Sequence, residues 1–141
     1  MSFDRIVVAT DFSPAADAAL EVAVELGRRL GAELVLVNVC EELGIVPGSD
    51  LAEDARMKAQ AELDARLAQL GRREVRTRGF VRGGLPLDEI VAVATEEKAG
   101  LLVLGHEEDS RLAEAVFGSL VDSVLHRAPC PVLTVRGPKP D

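Results

Sequence analysis

The residues with the most chemical promise lie around a glycine at the end of an apolar run. They are Gly105-His106-Glu107-Glu108 and, after positions 109–117, Gly118-Ser119. Glycine at a strand end lets the backbone approach a ligand closely. Gly-Ser at a helix start offers free N–H groups, a hydroxyl and the positive end of a dipole, a combination suited to phosphate. A second polar cluster, Thr10-Asp11-Phe12-Ser13-Pro14, follows the first apolar run. There Asp11 either makes an Asx-turn that opens a helix or lines a binding cleft. His106 reads as a loop histidine, and His126 as a cation in the last turn of a helix. Cys40 and Cys130 form no CxxC pattern and read as packed thiols. No activated nucleophile or paired acid and base can be assembled from spacing. No catalytic residue or metal ligand is therefore assigned, and the chain is not expected to be an enzyme.

Several familiar chemistries fail on residue type. A dinucleotide fold would place G-x-G-x-x-G after the first strand, where Thr-Asp-Phe-Ser-Pro-Ala stands. The chain contains neither a P-loop G-x-x-x-x-G-K-[ST] nor a G-x-S-x-G nucleophile elbow. A phosphorelay receiver needs clustered acids after strand one, an Asp after strand three and a Lys after strand five. Those places hold a lone Asp11, Val81-Arg82 and Arg136-Gly137.

The elements that must position these residues alternate between β-rich runs and helical periods. Arg5–Ala9 predicts a strand buried on both faces. Ser13 and Pro14 then start a helix, with Ala16, Ala19, Leu20, Ala23, Gly27 and Leu30 inward and a stop near Gly31. Leu34–Val39 predicts the second strand, Glu41–Asp50 a loop, and Leu51–Leu70 a second helix with a charged outer face, ended by Gly71. Val75–Phe80 predicts an edge strand. Leu87, Ile90, Val91 and Ala94 mark a third helix, with Gly100 as its stop. Leu101–Leu104 predicts the fourth strand, ending at Gly105. A helical turn is expected at Leu112-Ala113-Glu114, and a fourth helix from Gly118-Ser119 with Leu120, Val121, Val124 and Leu125 inward. The last strand runs from Val132 to Val135. Strands alternating with helices imply an α/β sandwich whose five-stranded parallel sheet has right-handed crossovers and helices on both faces. Ligands bind such a sheet outside the carboxyl ends of its strands, where strand order reverses.

With 141 residues, 48% of them hydrophobic, the chain suits one domain, taken as residues 1–136 with a tail at 137–141. Sixteen Lys and Arg against 24 Asp and Glu leave a net charge of −8, which argues against nucleic acid and anionic lipid as partners. Trp and Tyr are absent, so there is no aromatic platform for bases. The start, Met1-Ser2-Phe3-Asp4, carries no export signal, and the uncharged runs are far shorter than the ~20 residues of a membrane span. A cytoplasmic setting is expected.

In this order and spacing, several segments together resemble the universal stress protein family along nearly the whole chain. They are Ile6-Val7-Val8-Ala9-Thr10-Asp11-Phe12-Ser13, Gly84-Leu85-Pro86, Leu102-Val103-Leu104-Gly105, Gly118-Ser119 and Ala128-Pro129-Cys130-Pro131-Val132-Leu133-Thr134-Val135. The resemblance implies strand order 3-2-1-4-5 and a homodimer paired through the last strand, Val132, Leu133, Thr134 and Val135. It also implies ATP or AMP, with Mg²⁺, as the ligand of the family's nucleotide-binding branch. That branch carries G-x2-G-x9-G-[ST]. Gly105, Gly118 and Ser119 match it, Asp11 falls at the adenosine end, and Val39 completes the implied binding set. The middle glycine is Glu108, flanked by Glu107 and Asp109. At ~6 Å and an effective dielectric of about 20, each carboxylate repels an anion by roughly 3 kcal/mol before screening. The expectation is a non-catalytic, dimeric stress-response module with an impaired nucleotide site and no tightly held cofactor. The alternative is an ATP- or AMP-binding switch.

Overall fold

The computed structural model describes residues 2–41, 46, 48–106 and 120–138. Its elements run β1 (Arg5–Ala9), α1 (Pro14–Leu30), β2 (Glu33–Cys40), α2 (Asp50–Leu70), β3 (Thr77–Gly83), α3 (Pro86–Glu96), β4 (Leu101–His106), α4 (helical over 120–127) and β5 (Val132–Arg136). The sheet has the order β3-β2-β1-β4-β5 with every pair parallel, as the resemblance implied.

β1 sits in the middle because its residues have no face to give to water: Ile6, Val7 and Val8 are fully buried. Successive side chains point to opposite faces, so the strand feeds two cores. Ile6 and Val8 join Leu34, Leu36 and Val103 beneath α1 and α2. Val7 joins Val35, Val37, Leu102 and Leu104 beneath α3 and α4. Chain order runs outward from β1 to β3 on one side and from β4 to β5 on the other. The carboxyl ends of β1 and β4 therefore flank the reversal point.

The helix boundaries follow local chemistry. Ser13 caps α1 by accepting from the Ala16 N–H at 3.1 Å, with Pro14 at the first position, and Gly31 (φ 67) ends it. Ser49 caps α2 in the same way.

The structure corrects several expectations. Gly100 does not stop α3. Lys98 turns left-handed (φ 52), and the Lys98 and Ala99 N–H groups bond to Thr95 O and Ala94 O, closing a Schellman motif. Gly100 is instead required where the amino-terminal residues cross it, since a Cβ there would fall 2.9 Å from Phe3 Cα. α2 does end at Gly71 as expected, but Gly71 stays right-handed (φ −58) and the left-handed residue is Glu74 (φ 55). Leu30 and Leu125 are about half exposed, not inward, because each sits in the last turn of its helix. β3 lies further along the chain than Val75–Phe80: β2 continues to Cys40, and its register carries Val81, Arg82 and Gly83 into the ladder. Val75 leaves the ladder and packs on the α1 core. The expected helical turn at 112–114 and the start of the fourth helix lie outside the described residues.

Candidate functional site

At the carboxyl ends of β1 and β4 a cleft of about 600 Å³, counted to its mouth, opens on the α3 side of the sheet. Its floor comes from Ala9 of β1, Val37 and Val39 of β2, and Leu104 and Gly105 of β4. Pro86 and Ile90 of α3 form one wall, and Leu120 and Val121 of α4 another. The loop from β1 to α1 supplies Thr10, Asp11 and Ser13. Asp11 is the one ionisable side chain among the described lining residues, so the cleft is an apolar slot with a carboxylate at one end.

That loop is built by side chains bonding to their own backbone. Thr10 Oγ1 accepts from the Phe12 N–H at 3.0 Å, and Asp11 Oδ1 accepts from the Ser13 N–H at 3.0 Å. Asp11 thus makes the Asx-turn with one oxygen while its side chain also lines the cleft; the two readings of this residue are compatible. The turn is tight enough to hold Phe12 at φ 66, a left-handed conformation that costs a non-glycine residue about 1–2 kcal/mol. From below, Asn38 donates its Nδ2–H to Thr10 O at 2.8 Å, and Thr10 N donates to Val37 O. Asn38 is only 7% exposed. A lone amide among the valines of β2 was the sequence signal for this brace.

Gly105 is needed for a different close approach from the one its sequence suggested. A Cβ there would fall 2.5 Å from the Ala15 carbonyl carbon and 2.7 Å from the Ala16 nitrogen. The first turn of α1 therefore rests directly on β4. The starts of α1 and α3 both border the cleft, which brings two positive helix ends to it. His106 is not a loop residue but the last residue of β4, half-buried, with Nδ1 lacking a hydrogen-bond partner among the described residues. His126 is exposed in the last turn of α4. Burial pushes the Cys130 thiol up, which keeps it protonated and unreactive near neutrality.

Of the residues singled out from sequence, Asp11, Val39 and Gly105 meet in this cleft. Glu108, Gly118 and Ser119 lie outside the described residues. The walls from α3 and α4 and the contacts of Ala15 and Ala16 were not foreseen. Their only signal was the small or apolar residue at each helix start. Chemically, the described lining offers apolar side chains and one carboxylate; it contains no acid–base pair.

Comparison with known proteins gives the family and the shared fold. The model of the universal stress protein family matches residues 2–136. A universal stress protein of Thermus aquaticus is 32% identical over 95% of this chain and 99% of its own. The fold is shared with a universal stress protein from Lactobacillus plantarum (TM-score 0.83, 24% identity, 96% of this chain and 99% of that one). It is also shared with a family protein from Arabidopsis thaliana with AMP bound (TM-score 0.72, 20% identity, 95% and 92%).

Proposed function

Since this chain belongs to the universal stress protein family, we propose that it is a non-catalytic, dimeric regulatory module. In this reading its cleft accepts an adenosine moiety but holds a polyphosphate poorly. The observation that carries it is a contrast along one site. The apolar end, with Asp11 and Val39, is formed in the described residues. The segment after Gly105, where the nucleotide-binding branch has a glycine, reads Glu107-Glu108-Asp109. The bound AMP of the Arabidopsis relative supports adenylate as the ligand class. Pairing through Val132, Leu133, Thr134 and Val135 would cover the open β5 edge of the sheet. The setting proposed for this module is the cytoplasm; among the described residues no helix is long and apolar enough to cross a membrane.

Thermal melts test the site. Ligand at 100 times its Kd adds about 2.7 kcal/mol, or roughly 8–10 °C for a chain of this size. The expected result is a rise with AMP, little or none with millimolar MgATP, and a restored MgATP shift in Glu108→Gly. A full MgATP shift in the unaltered protein would overturn the impaired-site reading in favour of an ATP-responsive switch.

A further inference from the structure

The loop that carries Asp11 and Ser13 is held from the other face of the sheet by one side chain of α2. Arg66 Nε donates to Asp17 Oδ1 at 2.9 Å, and Nη2 donates to Asp17 Oδ2 at 3.1 Å, a two-pronged grip on the first turn of α1. The same Nη2 reaches the Phe12 carbonyl oxygen at 3.4 Å. The guanidinium carbon lies 4.8 Å from the centre of the Phe12 ring, within cation–π range. Nη1 is anchored on its own helix by Glu62 Oε2 at 2.7 Å. The Arg66 side chain is only 17% exposed, while Asp17 is about half exposed. Phe12, the residue so gripped, is the one held at φ 66 between Asp11 and Ser13.

We infer that Arg66 is a positioning residue for the cleft: by stacking on Phe12 and bonding its carbonyl while gripping Asp17, it holds the strained turn that presents Asp11 and Ser13. This one guanidinium joins the Phe12 carbonyl and ring to the Asp17 carboxylate, and so adds to the turn's own Thr10 and Asp11 hydrogen bonds in keeping Phe12 from relaxing to negative φ. The hydrogen-bond and ring partners of Arg66 (Asp17, Glu62 and Phe12) are not among the described lining residues, so it acts through Phe12 and the start of α1. Lysine cannot replace it, because an ammonium lacks the planar fork that spans a carboxylate and a carbonyl together. The inference rests on the adenylate reading of the cleft for its effect on binding, but not for its effect on the loop.

The test compares Arg66→Ala with Arg73→Ala. Arg73 pairs with Glu21 at 2.6 Å, and so also ties α2 to α1 by an ion pair, without touching the loop. Two quantities are measured: exchange of the Phe12 and Ser13 amides by NMR, and AMP affinity by calorimetry. In Arg66→Ala both amides should exchange faster. If the competent turn falls to about a tenth of molecules, the AMP Kd rises about tenfold. Arg73→Ala should leave both unchanged. In a Phe12→Gly background, where glycine adopts positive φ unaided, removing Arg66 should cost little further affinity. If Arg66→Ala does not fold, Arg66→Lys carries the same measurements. Equal effects in the Arg66 and Arg73 variants, or wild-type exchange and affinity in Arg66→Ala, would overturn the inference. Absence of AMP binding by the unaltered protein would instead overturn the adenylate reading, leaving amide exchange to decide the positioning role.

Discussion

Gly105 shows how one missing side chain serves two surfaces. Its backbone lines the cleft, and its lack of a Cβ lets the start of α1 lie on β4. The atoms that a Cβ would meet are backbone, which cannot swing aside like the end of a long side chain. Gly105→Ala should therefore destabilise by about 1–3 kcal/mol through overpacking, lowering the melting midpoint by roughly 3–10 °C. Calorimetric scanning checks it; an unchanged midpoint would mean that α1 has room to lift. Ala15 is pressed from a second side, since a Cβ on Gly137 would come within 2.8 Å of the Ala15 Cβ. The seam of small residues at this end of the sheet is thus fixed by packing, whatever occupies the cleft.

At the scale of elements, β5 is the strand whose surroundings are unfinished. Val132, Leu133 and Val135 are half-buried and Thr134 is exposed, on an edge with β4 as its one neighbour. If two copies pair there antiparallel, residues near the strand's middle face their own counterparts. Thr134→Lys should then set like charges opposite each other and shift the protein to monomer in analytical ultracentrifugation. A wild-type monomer, or a variant dimer of undiminished affinity, would argue against this edge. The succession of strands and helices was legible in the sequence because apolar period and Gly, Pro and Ser punctuation agreed across each unit, whereas the strand order came from the family resemblance. The reading slipped where tertiary contact overrules local preference. Arg82-Gly83 looks like a turn but stays in the ladder because β2 is long enough to hold it. Lys98 turns left-handed where Gly100 seemed the natural stop. In the cleft, Asp11, Val39 and Gly105 were legible from strand ends. The α3 and α4 walls were not, because an apolar residue that lines a cavity has the same type as one that fills a core.

For the whole molecule, pH acts through carboxylates tied to arginines. The Arg78 guanidinium, hydrogen-bonded to Glu97, holds that carboxyl below its ordinary value of 4.5. An unfolded chain keeps the ordinary value, so between the two the unfolded state binds more protons and stability rises with pH. The contribution is present above about pH 4.5 and lost as pH falls through the depressed folded value. In urea titrations between about pH 3 and pH 7, Arg78→Ala should therefore lower the midpoint at neutrality and flatten its fall in acid. A parallel fall in both proteins would show that other groups govern the acid limit. The same arginines make the two borders of the sheet unlike. Along β3, Arg78 and Arg82 are engaged by Glu33, Glu97, Glu89 and Glu96, charges of the kind that discourage a foreign strand from docking. β5 carries uncharged residues from Val132 to Val135. If two copies join through β5, they would turn their receptive sides toward each other and leave no template for a third, so growth would halt at a closed pair instead of a filament.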